Sequence, residues 1–192
     1  MENTNQAPEI FEELIKKAQE INFNMGTDYL VGELLQTLVA SKPNGHFLEL
    51  GTGMGLSTAW ICEGMCAESK LISLDNDPEL MSIVTDVFET ETRIKLITTD
   101  GDSWIKNQKN AQFDLIFADA WPGKYSSLDR TLDLLNPGGF YVIDDMIERP
   151  NWPEGHKEKV DHLLATLDAR KDLVISKMHW STGILVATKV AI

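Results

Sequence analysis

The 192-residue chain is short of cations: 17 Lys and Arg stand against 30 Asp and Glu, a formal net charge of −13 at pH 7. Such a surface repels nucleic-acid phosphates, and no Lys/Arg cluster interrupts it, so no nucleic-acid partner is expected. Cysteine is scarce too. Cys62 and Cys66, in "AWICEGMC", are the only two. They cannot form a disulfide framework, and no nearby His or Cys completes a zinc set of about four ligands. They read as small apolar residues on a helix in a reducing compartment. No apolar run is long enough to span a bilayer, and "MENTNQAPEIFEELIKKAQE" has no apolar leader core, so the expectation is a cytoplasmic chain with no membrane partner. Repeats and low-complexity stretches are also missing. What is present, 43% hydrophobic and 24% charged residues, is the make-up of a soluble globular protein. The length suits one domain with a sizeable core.

The patterning predicts two N-terminal helices within residues 1–42, "PEIFEELIKKAQEI" and "DYLVGELLQTLVASK", stopped by "KPNG". From 43 to 192, strands and helices alternate. "HFLEL", "KLISLD", "IKLITTD", "FDLIFADA" and "FYVIDD" are short, nearly continuous apolar runs, as strands covered on both faces should be. Between them lie "LSTAWICEGMC", "PELMSIVTDVFET", "DSWIKNQ" and "YSSLDRTLDLL", with "HKEKVDHLLATLDAR" after the last. The alternation predicts an α/β fold: a doubly wound, Rossmann-like sheet, mostly parallel, with helices on both faces. "DLVISKMHW" and "GILVATKV" are too close together for anything but an antiparallel pair. The sheet should therefore have seven strands, the last reversed.

"FLELGTGMGLST" carries Gly51, Gly53 and Gly55, with Leu56 where a dinucleotide fingerprint needs glycine and no P-loop lysine. Phosphate is the poorer ligand. Glu49 lies inside the strand, and a buried carboxylate needs a partner, which a cationic ammonium or sulfonium ligand would supply. Asp75 closes the second strand, where an acidic residue accepts ribose hydroxyls. Asp102 could accept from an adenine amino group, and Ser103 could bond a ring nitrogen. A cationic amino-acid site, a ribose site and an adenine site follow in order, matching the three parts of S-adenosylmethionine.

"LELGTGMGLST" followed by "LISLDNDPEL" resembles the class I S-adenosylmethionine-dependent methyltransferases. Within them, residues 22–190 look like the small O-methyltransferases of the catechol type. The resemblance implies that Glu49, Gly51 and Gly53 line the methionine moiety and that Ser57 bonds its carboxylate. It also implies Asp75 and Asn76 at the ribose, Asp102 and Ser103 at adenine, Met25 meeting the cofactor through its backbone, and Trp121 packed on adenine. Trp60 and Trp104 read as helix-packing residues.

Asp119, in "FADAWPGKY", and Asp144 and Asp145, in "VIDDM", end the fourth and fifth strands. Three carboxylates converging there would repel, and a hard dication, Mg²⁺ first, would relieve them. The matching residues in the resembling enzymes bind such an ion, with Asn at the position of Asp145. It would lower the pKa of an acceptor hydroxyl. Asp119 belongs to the expected cofactor wall, metal set and catalytic pair alike. Its catalytic partner is Lys124, the lysine nearest Pro122, which stands where those enzymes carry a lysine base. His156 and His179 are other candidate bases. The expected activity is methylation of a small-molecule hydroxyl. Two alternatives stay open: metal-independent N- or O-methylation, and a cofactor-binding protein without catalysis. The sequence is also compatible with a homodimer. Acceptor pockets are expected from the N-terminal segment and from 146–155, "MIERPNWPEG", where Trp152 could form a wall or lid.

Overall fold

A computed structural model describes residues 6–109, 111–150 and 152–191. Residues 1–5 of the segment examined for a leader, and Asn151 of the 146–155 loop, lie outside them. Two helices, α1 (Phe11–Glu20) and α2 (Tyr29–Ala40), precede the sheet. The chain then runs β1 (His46–Leu50), α3 (Leu56–Gly64), β2 (Lys70–Asp75), α4 (Pro78–Val87), β3 (Ile94–Thr98) and α5 (Gly101–Asn107). It continues through β4 (Phe113–Ala118), α6 (Leu128–Asp133), β5 (Leu135–Ile143), α7 (His156–Asp168), β6 (Leu173–Met178) and β7 (Ile184–Lys189). No described helix is long and apolar enough to cross a membrane.

The expected seven-stranded sheet is present, in the order β3-β2-β1-β4-β5-β7-β6. The strands β1 to β5 pair parallel, and β7 runs antiparallel to both β5 and β6. Strand alternation divides the core. Phe47 faces α1, α2 and α3 together with Phe117 and Trp60. Leu48 and Leu50 face the other way, toward α5, α6 and α7, with Ile116 and Ile143. From β1 the chain winds outward to β3, whereas β4 returns to the other side of β1. The C-terminal ends of β1 and β4 therefore flank the crevice where open α/β sheets bind ligands.

Three expectations shift in detail. The fifth strand begins at Leu135, because Leu135 pairs with Phe113 before "NPGG" bulges and Phe140 resumes pairing with Leu115. Helix α5 begins at Gly101, because the Asp100 carboxylate caps it by accepting the Ser103 N–H at 2.8 Å. The two cysteines do not share a helix. Cys62 is buried in α3, while Cys66 lies beyond its end and is exposed.

Candidate functional site

A cavity of about 440 Å³ opens at the C-terminal ends of β1, β2 and β4. Gly51, Gly53, Ser57, Asp75, Asn76, Asp119 and Trp121 line it, and Met25 stands at its rim, 75% exposed. The glycine turn forms one wall. Gly51 has φ of +99°, and a Cβ there would lie 3.0 Å from the Asp119 carbonyl. Gly53 has φ of +51°, and its N–H donates to Asp75 Oδ2 at 2.8 Å. The Asp77 N–H donates to Asp75 Oδ1 at 3.0 Å. The Asp75 carboxylate is thus held at the cavity wall by two backbone donors, and each oxygen retains lone-pair capacity for a ligand hydroxyl. The first turn of α3, with Ser57, adds unpaired N–H groups.

Three residues expected to bind the cofactor are not on the cavity wall. Glu49 lies on the α3 side of β1, fully buried. Its Oε2 accepts from the hydroxyls of Thr58 and Ser73, both at 2.5 Å, while Oε1 is buried without a partner. Burial pushes its pKa up. Asp102 accepts from the Ser126 hydroxyl at 2.8 Å and the Ser127 hydroxyl at 2.5 Å, which ties α5 to the loop after β4. Ser103 is exposed. Because α5 starts at Gly101, residues 102 and 103 turn away, and Thr99, Asp100 and Gly101 take the wall instead. Asp100, two residues beyond β3, could have been chosen by the strand-end rule that selected Asp75 and Asp119.

Beside Asp119 the structure gathers a polar cluster. Lys124 is only 4% exposed, and its Nζ donates to the Asp144 carbonyl at 2.7 Å. Burial raises the Asp119 pKa to about 7; Lys124 opposes the rise, and Asp144 and Asp145 add to it. Burial lowers the Lys124 pKa against the pull of the same three aspartates. Burial likewise raises that of Asp144.

The aspartates, however, diverge. Asp144 Oδ1 accepts from the Asp145 N–H at 2.6 Å and from the Thr182 hydroxyl. Asp145, left-handed at φ of +62°, accepts the Trp152 indole N–H at 3.2 Å on Oδ1, and its Oδ2 stands 3.8 Å from His156 Nε2. Among the described residues no group of three His, Cys, Asp or Glu side chains is arranged to hold a metal ion. The expected site at Asp119, Asp144 and Asp145 does not fit a dication as these side chains lie.

His156 is buried, 3.4 Å from the Tyr125 hydroxyl, with its Nδ1 unpartnered. Trp152 packs its ring 4.5 Å from that imidazole. This Tyr125–His156–Asp145–Trp152 cluster was visible in the sequence only as isolated residues. A second cavity of about 390 Å³ lies between α6 and α7, with Lys124, Tyr125, Lys159 and His162 on its walls. Trp121, 55% exposed under the Lys159 ammonium at 3.9 Å, borders both cavities.

A family model described as a methyltransferase domain matches residues 48–146. A provisionally named O-methyltransferase of Mycobacterium avium (strain 104) is 29% identical over 118 residues, 59% of this chain and 53% of its own. The chain thus spans about half the length of the curated relatives it matches. An O-methyltransferase from Bacillus cereus, solved with S-adenosylhomocysteine, superposes with a TM-score of 0.80 at 20% identity, over 94% of this chain and 90% of its own. A methyltransferase from Podospora anserina, also bound to S-adenosylhomocysteine, gives 0.84 at 20% identity, over 98% and 91%. At these identities the likeness is one of fold.

Proposed function

The chain belongs to the methyltransferase-domain family, and from that premise we propose that it transfers the methyl group of S-adenosylmethionine to a hydroxyl of a small-molecule acceptor. The cavity wall is the observation that carries this reading: a glycine turn, the doubly anchored Asp75 and the strand-end Asp119 meet around one space. Its volume falls within the roughly 300–1,000 Å³ of small-molecule sites. The O-methyltransferase names of the relatives support the choice of oxygen as acceptor atom.

When bound, S-adenosylmethionine supplies a methyl group on a positively charged sulfonium. The glycine turn would let backbone come close to the methionine end, and Ser57 with the free N–H groups of α3 would hold a carboxylate there. Asp75, with Asn76 beside it, would accept ribose hydroxyls. Asp100 and Gly101, across from Trp121, would bound the adenine end. Glu49 would lie beneath the turn, its carboxyl held by the Thr58 and Ser73 hydroxyls. Asp119 would take the proton of the acceptor hydroxyl at its carboxylate, with Lys124 close by to stabilise the oxyanion.

Calorimetry with S-adenosylhomocysteine tests the cofactor. A methyl-transfer assay across a panel of phenols and hydroxy acids tests the acceptor. No binding of S-adenosylhomocysteine to the wild type would end this reading. Binding without transfer to any compound would favour a cofactor-binding protein, a reading supported by Pro122 at the expected base position.

A further inference from the structure

We infer that the buried Lys124 ammonium takes the place that the strand-end aspartates suggested for a divalent ion, so that methyl transfer in this chain needs no metal. The inference rests on the methyltransferase reading above.

The backbone delivers this side chain inward. The carbonyl of Trp121 accepts from the N–H groups of Lys124 at 3.2 Å and Tyr125 at 2.9 Å. Gly123, at φ of +86°, donates to the Ser126 carbonyl at 2.8 Å and closes the turn. Any Cβ at 123 would strike Leu50 Cδ1 at 2.3 Å, so the turn is packed directly against β1. Lys124 therefore points away from solvent. Its Nζ reaches from the end of β4 to the Asp144 carbonyl at the end of β5. The head is buried on the Asp144 carbonyl, where burial works against its charge and Asp119, Asp145 and Asp144 work for it.

Two of the three carboxylates are turned toward other partners. Asp144 turns to Thr182 in the β6–β7 connection, and Asp145 turns to Trp152 and His156 on the opposite flank. A hard dication asks for about six oxygens in one shell. Asp145, held by the Trp152 indole and facing His156, would have to turn back to join Asp119 and Asp144 in such a shell. The ion would then sit beside a buried ammonium of the same sign. The lysine already supplies a positive charge without that rearrangement. One of its three N–H groups serves the Asp144 carbonyl, and the others can stabilise negative charge on an acceptor oxygen.

The test uses the full chain with S-adenosylhomocysteine bound. Mn²⁺ is titrated in and followed by its paramagnetic resonance signal. No saturable site is expected at millimolar Mn²⁺. One tightly bound Mn²⁺ per chain, lost in Asp144→Asn, overturns the inference. In the methyl-transfer assay, exhaustive chelation should leave turnover of a productive acceptor unchanged. Loss on chelation with recovery on Mg²⁺ overturns it as well. Lys124→Met should lower turnover by about 10²-fold, the usual loss for one oxyanion donor, with cofactor affinity retained. Wild-type turnover in that variant would remove Lys124 from the chemistry. Should the variant fail to fold, the Mn²⁺ and chelation measurements on wild type still decide. Cofactor binding with metal-dependent transfer defeats this inference alone, whereas no cofactor binding at all defeats the methyltransferase reading and this inference with it.

Discussion

Asp75 and Cys66 show how far one residue's surroundings determine what it can do. Asp75 lines the cavity with both oxygens already fixed by the N–H groups of Gly53 and Asp77. A carboxylate so anchored meets ligand hydroxyls without first losing side-chain freedom. Asp75→Ala should weaken S-adenosylhomocysteine binding by about 1–3 kcal/mol, measured by calorimetry, because the hydrogen-bond acceptors of the ligand hydroxyls vanish. An unchanged affinity would take Asp75 out of the ribose site. Cys66 lies away from this cavity. The Ser69 hydroxyl, 3.2 Å away, and the Asn44 N–H, 3.0 Å away, bring its thiol down from 9.0 to about 7. Burial drives the Cys62 thiol up. The thiolate is the reactive form, so Cys66 should alkylate with iodoacetamide at a rate that rises with pH through a midpoint of about 7. Cys62 should stay unmodified until the chain is denatured. Mass spectrometry of the two peptides checks both, and a Cys66 midpoint close to 9.0 would contradict the local geometry.

Helix α2 meets α3 across Gly32, where a Cβ would fall 2.3 Å from the indole ring of Trp60. Trp60 is completely buried and makes edge contacts with Phe11 and Tyr29, at 5.6 and 5.0 Å between centroids. Two effects oppose one another in Gly32→Ala. Alanine is the better helix former by about 1 kcal/mol. Forcing an extra carbon into a packed core costs about 1–3 kcal/mol, and a large ring held by two aromatic neighbours is at the upper end. The second effect should win, so urea denaturation should show a net loss of stability. A gain would mean that Trp60 moves freely. At this scale much was legible in the sequence. The alternation of "HFLEL", "KLISLD" and "FDLIFADA" with apolar helices required a parallel sheet, and the two-residue "ST" link with its glycine required the reversed β7. The order β1-β4 at the centre was not legible, because apolar runs covered on both faces carry no mark of their neighbours. The start of α5 was legible to one residue, but not that its first turn carries Asp102 and Ser103 away from the cavity and leaves Asp100 and Gly101 on the wall. Lys124 in "WPGKY" reads equally well as a solvated loop charge; only the turn at Gly123 reveals that it is buried.

For the molecule as a whole, the cavity's position between the two packed faces of the sheet has an energetic consequence. Its wall draws on the segment before α2 (Phe23, Met25, Thr27), the β1 turn, and the ends of β2, β3 and β4. Leu56, also on this wall, belongs to the core on the α1–α3 side of the sheet, whereas Leu50 and Leu74 belong to the opposite core. A ligand seated there would touch both the pre-α2 segment and the strand ends. Binding to the folded state alone stabilises it by mass action, about 2.7 kcal/mol at a ligand concentration one hundred times the dissociation constant. For a chain of this length each kcal/mol raises the midpoint of thermal unfolding by about 2–4 °C. S-adenosylhomocysteine at that ratio should therefore raise Tm by roughly 5–11 °C in a fluorescence melt, a range that follows from multiplying the two. Amide exchange should slow both in the turn around Gly51 and in the segment around Met25. Slowing in the glycine turn alone would place the ligand on the strand ends without engagement of the N-terminal segment. A rise in Tm with protection in both places is the outcome expected if that segment closes one side of the cofactor site.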